Sequence, residues 1–273
     1  MWSHFKMTYQ FAAELAGRTI VITGGGRSIG REMATAAAAA KMKVAILEVN
    51  QANLEKTVAE LKSAGGDVTG YVVDLQDEKQ INETLAKIEK DFGKIEVFVN
   101  NAAFHDAEDL LGTSLEVWNK TFTINTVAPF LCIKAILPGM IARKSGSIIN
   151  IGTVNAKMRI GSDSYTASKA ALHALTRTVA VRYGAHGIRC NTIVPGTIAT
   201  EIWQERIDRN PAVFENLKSW YPLGRVGKPS DIAAAVMYLA SDQAPWMTGT
   251  EFVVDGGLLA GLAPMYPVVE GSD

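Results

Sequence analysis

A tyrosine and a lysine stand four residues apart in the segment SYTASKAA, as Tyr165 and Lys169. A free phenol has a pKa of about 10 and a free lysine ammonium of about 10.4, so neither group is poised for proton transfer at neutral pH. Side chains four apart on a helix lie on one face, and an ammonium there would lower the pKa of the phenol. The pair is a candidate for acid–base chemistry, although the same spacing also arises by chance on helix surfaces.

A glycine-rich turn is the second candidate for chemistry. The segment TGGGRSIG, Thr23–Gly30, follows an apolar strand and opens a helix. Its glycines allow a tight turn, and the helix N-terminus supplies free N–H groups and a positive dipole end for a phosphate. The spacing departs from G-x-G-x-x-G, because Gly24, Ser28 and Gly30 occupy the key places. The turn predicts a nucleotide site, although glycines also punctuate purely structural turns.

An acidic residue bears on which nucleotide would bind. Glu48 ends the second predicted strand, after the glycine-rich turn. A carboxylate there accepts hydrogen bonds from ribose hydroxyls and repels a 2′-phosphate, which favours NAD and makes NADP the less favoured cofactor. Two alternatives stay open: Glu48 could be only a solvated charge, and Arg27, a cation in the turn, could reach a 2′-phosphate.

The elements that must position these residues alternate along the chain. Seven apolar runs predict strands: TIVITGG, KVAILEV, VTGYVVDL, IEVFVNNA, SGSIINIG, GIRCNTIVPG and EFVVDGG. Helices are predicted between them, over SIGREMATAAAAAK, NLEKTVAELKSAGG, Asp77–Phe92, about Leu115–Arg143, Asp163–Tyr183 and Ser230–Ser241. This alternation indicates an α/β, doubly wound domain in which a seven-stranded parallel sheet carries helices on both faces.

No linker divides the chain, so residues 1–273 are predicted to form a single domain. Residues 1–14 precede the first strand as an N-terminal arm. Residues 197–228 are the least regular stretch, rich in aromatic and charged residues and interrupted by Pro211 and Pro222. Such a stretch in a compact domain is typical of a substrate-binding lid.

Composition argues against several classes of partner. A net charge of −1 does not provide the basic field that nucleic acid or an anionic membrane requires. No uncharged apolar run reaches the ~18 residues of a membrane span. Cys132 and Cys190 form no motif, which favours buried reduced thiols in a cytoplasmic protein, and no metal-binding cluster is recognisable.

Further motifs follow at consistent spacing. They are Asp74 after the third strand, NNAA at Asn100–Ala103, Asn125, Thr153, PGTIAT at Pro195–Thr200 and VDGG at Val254–Gly257. Together with the glycine-rich turn and the Tyr165–Lys169 pair, this order resembles the short-chain dehydrogenase/reductase family over roughly Leu15 to Leu258. The resemblance implies a Rossmann-type fold and hydride transfer between NAD(H) and a secondary alcohol or its ketone.

The resemblance implies four catalytic residues. Tyr165 is the general acid/base, Lys169 lowers its pKa and holds the nicotinamide ribose, and Asn125 holds a water beside the lysine. Thr153 stands where the family usually has serine and would hydrogen-bond the substrate oxygen, with its extra methyl stiffening χ1.

Two features qualify these assignments. The loop from Thr153 to Tyr165 looks about one residue short of the common form, so Ser162 or Ser164 is the alternative hydroxyl. Ser28 replaces a usual glycine, and its hydroxyl could itself bind phosphate.

The remaining contacts implied by the resemblance fall on both sides of the site. The cofactor residues are Gly24, Arg27, Ser28, Ile29, Glu48, Asp74, Leu75, Asn101, Ala102, Tyr165, Lys169, Pro195, Gly196, Ile198 and Thr200. Among them, Asp74 is expected at the adenine amino group, Asn101 and Ala102 on the adenosine ribose side, and Thr200 at the nicotinamide carboxamide or diphosphate. Substrate contacts are Thr153, Tyr165, His105 and Trp203, whereas His173 is expected to be packed or capped. The polar members among these could instead cap turns.

The overall pattern looks most like the polyol and sugar dehydrogenases of the family. Alternatives are a 3-oxoacyl carrier-protein reductase, a hydroxysteroid-type dehydrogenase or a catalytically silent nucleotide-binding scaffold. A small-molecule substrate and a homotetramer or homodimer are expected, because the apolar segment VMYLASDQAPWMTGTEFVVDGG would be left partly exposed in a monomer.

Overall fold

The computed structural model describes residues 14–105, 109–158 and 160–271, so nearly all of the predicted N-terminal arm lies outside the described residues. Seven strands form one sheet: β1 (Thr19–Thr23), β2 (Lys43–Glu48), β3 (Asp67–Val72), β4 (Val97–Asn100), β5 (Gly146–Ile151), β6 (Ile188–Pro195) and β7 (Glu251–Val254). Every neighbouring pair is parallel, in the order β3-β2-β1-β4-β5-β6-β7. The predicted fold class is confirmed.

Helices connect the strands. They are α1 (Ser28–Ala39), α2 (Gln51–Ser63), α3 (Glu78–Phe92), α4 (Leu115–Phe122), α5 (Ala128–Arg143), α6 (Asp163–Tyr183), α7 (Gln204–Arg209), α8 (Val213–Lys218), α9 (Pro229–Ala240) and α10 (Tyr266–Glu270). Local residues delimit several of them: Asn50 and Asp77 cap the N-termini of α2 and α3 with their carbonyl and carboxylate oxygens, and Gly93 ends α3 in the left-handed conformation.

The sheet is apolar on both faces because helices cover both. All five residues of β1 are buried, and alternate side chains enter different core clusters: Ile20 and Ile22 pack with α1 and α9, whereas Val21 packs with α3, α5 and α6. A strand buried on both faces reads as a continuous apolar run, which is why the strands were predictable.

The strand order reverses between β1 and β4, its neighbour on the other side. In open parallel sheets, ligands bind at the carboxyl ends of the strands beside such a switch point. The glycine-rich turn follows β1 and the NNAA motif follows β4, so the topology brings them to the same edge.

One long helix is interrupted by a wider turn. The predicted helix Leu115–Arg143 is divided into α4 and α5 by a π-helical turn at Thr123–Val127, where Ala128 N–H bonds the carbonyl of Thr123. Its length and composition would allow a membrane crossing, but Cys132, Ile136 and other residues of α5 belong to the core, as in the core helix of a globular domain.

The predicted lid is partly helical. Residues 197–228 contain a 3₁₀ turn at Glu201–Trp203 and the two short helices α7 and α8. Ile198 forms a bridge with Gly227, so the two ends of the lid are joined at the carboxyl edge of the sheet.

Candidate active site

The glycine-rich turn is closely packed. Gly24 has φ +64°, and a Cβ built on Gly30 would lie 2.0 Å from the Gly24 carbonyl oxygen, so neither position accepts a side chain without rearrangement. Asn101 Nδ2 donates to the carbonyl oxygens of Thr23 (2.9 Å) and Gly24 (3.0 Å). The predicted cofactor residue Asn101 therefore uses its amide to fix the turn.

The N-terminus of α1 already holds an anionic group. Ser28, at φ +50°, donates its backbone N–H to Glu201 Oε1 (3.2 Å) and its hydroxyl to Glu201 Oε2 (2.9 Å). Burial raises the pKa of Glu201, but hydrogen bonds from its own backbone and from Ser28, together with Arg27, outweigh burial and lower it. A carboxylate thus occupies the place where a dinucleotide phosphate is expected, which shows that the turn fits an anion.

Glu48 lies below the same turn. Its Oε2 accepts from Gly26 N–H (3.2 Å) and its Oε1 from Asn50 N–H (3.0 Å). These bonds hold the carboxylate at the end of β2, facing the turn. Arg27 is exposed at the N-cap of α1, so both charges that bear on the choice between NAD and NADP stand at the same edge.

The other predicted cofactor residues line the carboxyl ends of the strands. Asp74 and Leu75 follow β3, and Asp74 Oδ1 accepts from Gln76 N–H at 2.9 Å, as a turn-capping residue does. Ala102 lies against Gly24, since a Cβ on that glycine would come within 2.9 Å of the Ala102 Cα. Ile29 packs against the core beneath α1.

At the end of β6 the chain passes Pro195, Gly196, Ile198 and Thr200 into the lid. Ile198 is 7% exposed, which makes its side chain part of the core. Thr200 is partly exposed and begins the 3₁₀ turn that carries Glu201.

The Tyr165–Lys169 pair lies on the first half of α6, opposite the loop after β5. Lys169 is 2% exposed, and its Nζ donates to the Ile151 carbonyl oxygen at 2.8 Å. The same Nζ lies 5.7 Å from the centroid of the Tyr165 ring. Tyr165 and Thr153 are joined by a side-chain hydrogen bond, so phenol and hydroxyl converge on one point.

Burial dominates the pKa values of this pair. Burial raises the pKa of Tyr165 to about 12, while the hydrogen bond from Thr153 acts in the opposite direction. Burial also lowers the pKa of Lys169 to about 8. Desolvation disfavours the phenolate, and the Lys169 ammonium points to Ile151. The role of Lys169 in lowering the tyrosine pKa stays a prediction.

Asn125 lies in the π-helical turn and is fully buried. Its Oδ1 accepts from Phe104 N–H (2.8 Å), and its Nδ2 donates to the Phe104 carbonyl (2.9 Å) and to Ser168 Oγ (3.0 Å). Both amide donors are used, so the side chain ties the loop after β4 to α6. Its role beside a water stays a prediction.

The two alternative hydroxyls differ in their surroundings. Ser164 is buried, and its Oγ contacts Thr121 Oγ1 on α4 at 3.3 Å. Ser162 Oγ, just before α6, is buried and has no hydrogen-bond partner among the described residues. Thr153 contacts Tyr165 directly, which makes it the best placed of the three.

Polar and aromatic residues surround the Tyr165 phenol. The exposed His105 ring lies 4.9 Å from the Tyr165 ring, centroid to centroid. Asn155, two residues after Thr153, has its amide against Gly161, on the same side as His105. Sequence reasoning missed both Asn155 and Glu201, although Glu201 directly follows the quoted PGTIAT motif.

The predicted lid contact Trp203 packs within the lid. Its ring lies 5.4 Å from that of Phe214, and the Arg206 guanidinium lies 4.7 Å from its centroid. Tyr221 is buried, and its hydroxyl accepts from Thr197 N–H at 2.9 Å. Tyr221 therefore serves packing, and Trp203 contacts Phe214 and Arg206 of the lid. The role of Trp203 as a substrate contact stays a prediction.

A separate cavity of about 710 Å³ lies at the amino ends of β1, β4, β5 and β6, beside Arg18, Arg189 and Trp246. It is at the edge of the sheet opposite the Tyr165–Lys169 pair. Within residues 14–105, 109–158 and 160–271, no group of three acidic, histidine or cysteine side chains could hold a metal ion.

The chain is similar to known proteins along most of its length. A family model described as Enoyl-(Acyl carrier protein) reductase matches residues 24–259. The 2-(S)-hydroxypropyl-CoM dehydrogenase 3 of Xanthobacter autotrophicus is 36% identical over 250 residues, covering 90% of this chain and 98% of the relative. The L-rhamnose 1-dehydrogenase (NAD(P)(+)) of a Sphingomonas species is 33% identical over 253 residues, covering 91% of this chain and 98% of the relative.

A solved structure extends the similarity to three dimensions. The crystal structure of an oxidoreductase (short chain dehydrogenase/reductase family) from Burkholderia thailandensis superposes with a TM-score of 0.88 at 36% identity. The match covers 94% of this chain and 98% of that one.

Proposed function

Because the chain belongs to the short-chain dehydrogenase/reductase family and is an oxidoreductase acting on CH–OH groups, we propose that it transfers a hydride between NAD(H) and a secondary alcohol or its ketone. The observation that carries the proposal is the meeting of the Tyr165 phenol with the Thr153 hydroxyl, one helical turn from the buried Lys169.

The geometry supports a separate role for each of the residues Tyr165, Thr153 and Lys169 in this reaction. When bound, the nicotinamide supplies the acceptor or donor of the hydride. In the direction of oxidation, Tyr165 takes the proton of the substrate hydroxyl while the hydride leaves its carbon, and in reduction Tyr165 returns that proton. Thr153 hydrogen-bonds the same oxygen and holds it beside the phenol. The ammonium of Lys169 favours the phenolate form needed for oxidation.

A pKa of about 12 keeps Tyr165 protonated at neutral pH. The phenol is thus ready to donate to a ketone oxygen, and oxidation requires positive charge nearby to stabilise the phenolate. We expect alcohol oxidation to accelerate as pH rises above neutrality, whereas ketone reduction needs no such rise. Steady-state rates in both directions between about pH 6 and pH 10 measure this difference.

We propose NAD as the preferred cofactor because Glu48 ends β2 and faces the glycine-rich turn, where a carboxylate would accept from ribose hydroxyls and repel a 2′-phosphate. In thermal unfolding, NAD should raise the melting temperature more than NADP does. Glu48→Ala should weaken the effect of NAD and relieve that of NADP, while Glu55→Ala, which removes an exposed carboxylate on α2 paired with Gln51, should change neither. Equal stabilisation of the native protein by NADP would contradict the choice.

A sugar or polyol is the proposed substrate class. His105 and Asn155 place polar groups near Tyr165, with Trp203 and Arg206 on the lid, and such a mixture suits a ligand with several hydroxyls. The name of the rhamnose-oxidising relative favours the same class. Reduced cofactor should form with members of a panel of aldoses and polyols.

A second candidate is a 3-oxoacyl carrier-protein reductase. The description of the matching family model also names an acyl carrier protein, although for the reduction of an enoyl group and not of a ketone. Its activity would appear as NADPH oxidation with 3-oxoacyl thioesters and no turnover of polyols. The same panel, extended by hydroxysteroids and hydroxyacyl thioesters, separates these candidates.

We also propose a homodimer or homotetramer in the cytoplasm. α9 is largely buried within the chain, but Trp246 is 97% exposed and β7 lies at the edge of the sheet, so a second copy could cover this region. Light scattering at micromolar concentration should give a multiple of the chain mass, and Trp246→Glu should reduce it. A monomer mass for the native protein would overturn the assembly.

A further inference from the structure

Three consecutive residues, the last of β5 and the two that follow it, each contact a different residue of α6. The Ile151 carbonyl accepts from Lys169 Nζ, Gly152 lies against His173, and Thr153 hydrogen-bonds Tyr165. Tyr165, Lys169 and His173 are spaced four apart, so they share one helix face. The 151–153 segment is therefore fixed to the catalytic face of α6 at three successive points.

The contact between Gly152 and His173 leaves no space. A Cβ built on Gly152 would lie 2.2 Å from His173 Nε2 and 2.6 Å from Thr192 Cγ2. On its other side, Gly152 N–H donates to the Ile193 carbonyl at 2.8 Å. His173 is 3% exposed. Its imidazole therefore sets how closely α6 approaches the backbone at Gly152. That backbone lies between the Ile151 carbonyl, which accepts from Lys169, and Thr153 with its hydroxyl.

An ionic cluster holds the imidazole in place. His173 Nδ1 lies 3.4 Å from Glu251 Oε1 on β7. The same carboxylate pairs with Lys157, which follows the 3₁₀ turn after Thr153, and with Arg177 Nη1 at 2.8 Å on α6. With Nδ1–H donating to Glu251, Nε2 faces Gly152 and has no hydrogen-bond partner among the described residues. Glu251 therefore fixes the orientation of the ring.

We propose that His173, held by Glu251, is a positioning residue for the hydride-transfer reaction. This inference rests on the proposed function. His173 does not touch the reacting atoms but keeps Ile151 and Thr153 at the separation from Lys169 and Tyr165 that proton transfer requires. A displacement of about 1 Å at a reacting group can cost ~10²-fold in rate, so loss of the ring should lower kcat far more than it changes cofactor affinity.

Two variants test the contact between His173 and Gly152, one by changing the ring itself and the other by removing its partner Glu251. His173→Asn keeps an N–H donor for Glu251 but removes the ring edge that supports Gly152. Glu251→Ala, at a partly exposed position, frees the ring without altering the core. Both should lower kcat roughly tenfold or more and leave the dissociation constant of NAD within about twofold. Their effects should not add in the double variant, because both act through one contact.

Arg177→Met is the matched control. It removes another partner of Glu251 at a side chain that is 55% exposed, and it leaves the Gly152–His173 contact intact. Its kcat should equal that of the native protein. A loss in Arg177→Met as large as in His173→Asn would show that the charge cluster matters in general and would overturn the positioning role.

Crystal structures of the native protein and His173→Asn supply a readout independent of turnover. The inference expects the 151–153 segment to shift and the Lys169–Ile151 bond to lengthen beyond 2.8 Å. It is overturned if the segment stays in place, or if kcat is unchanged although the melting temperature falls. If the native protein oxidises no alcohol in the panel, the proposed function has failed, and the position of the segment alone decides this inference.

Discussion

At the scale of single residues, the site depends on which group each hydroxyl meets. Thr153 is 9% exposed, caps the 3₁₀ turn that follows it by accepting from Asn155 N–H at 3.2 Å, and hydrogen-bonds Tyr165. The backbone contact fixes Oγ1, so its direction towards the phenol is set before any ligand binds. That preorganisation is what an oxygen-binding donor requires.

The Thr153 hydroxyl can be tested by graded substitution. Thr153→Ala should lower turnover ~10²–10³-fold, the scale for removing one preorganised donor, while Thr153→Ser should retain most of it. NAD affinity should barely change, because the hydroxyl faces Tyr165. If Thr153→Ala is nearly normal and Ser162→Ala is inactive, the unpartnered Ser162 hydroxyl holds the substrate oxygen instead.

The contact between Glu201 and Ser28 predicts that the Glu201 carboxylate competes with a dinucleotide phosphate for the same donors. That carboxylate accepts both donors of Ser28, so a dinucleotide phosphate bound at the predicted place would displace it. Glu201→Gln should therefore strengthen NAD binding, by roughly two- to fivefold on the scale of a partly exposed charge pair. Titration calorimetry measures this, with Glu205→Gln as control because Glu205 pairs with Arg209 within α7. Weaker binding in Glu201→Gln would show that the carboxylate helps to hold the cofactor.

These residue contacts were only partly predictable. The spacing of Tyr165 and Lys169 placed both on one helix face, because a helix fixes that geometry locally. The pKa of Tyr165 was not predictable, since burial depends on loops distant in sequence. The Glu201–Ser28 contact joins residues 173 positions apart, and no local pattern signals it.

At the scale of elements, the turn between β1 and α1 is the place that least tolerates an added side chain. A Cβ on Gly30 would meet the Gly24 carbonyl, so Gly30→Ala should abolish NAD binding and destabilise the fold by about 1–3 kcal/mol. Gly184, which ends α6 at φ −57° and has no atom within 4 Å of the point where a Cβ would lie, is the matched control. Gly184→Ala should melt at the same or a higher temperature. Normal NAD binding by Gly30→Ala would contradict the account of the turn.

Element boundaries followed from the sequence where periodicity was strong. The ranges Asp163–Tyr183 and about Leu115–Arg143 agree with the observed helices, because apolar pattern and capping residues act locally. The π-helical turn at Thr123–Val127 was not predicted, since it depends on the Asn125 side chain meeting Phe104 from another element. The helices of the lid were missed because each has only six residues.

At the scale of the whole molecule, charged groups from several elements surround one buried imidazole. Burial is the main cause that lowers the pKa of His173; Glu251 on β7 opposes it, while Lys169 on α6 and Lys157 after the 3₁₀ turn reinforce it. In the native state the His173 imidazole therefore resists protonation, whereas in the unfolded chain the same imidazole is protonated below about pH 6.5.

The sign of the pH dependence follows from this difference. The stability associated with neutral His173 is complete above about pH 6.5 and decreases as pH falls below it, by at most about 1.4 kcal/mol per pH unit. Between about pH 7.5 and pH 5.5, the melting temperature should fall more for the native protein than for His173→Asn. An equal fall in both would show that other groups carry the acid sensitivity.

The central claim is that the Tyr165 site moves a hydride from a carbinol carbon to NAD. Its most direct test uses a turned-over polyol carrying deuterium on that carbon and measures the mass of the reduced cofactor. The account predicts that the native protein forms NADH heavier by one deuterium, and that Tyr165→Phe forms none while still binding NAD. Unlabelled NADH, or labelled NADH formed as fast by Tyr165→Phe, would contradict it.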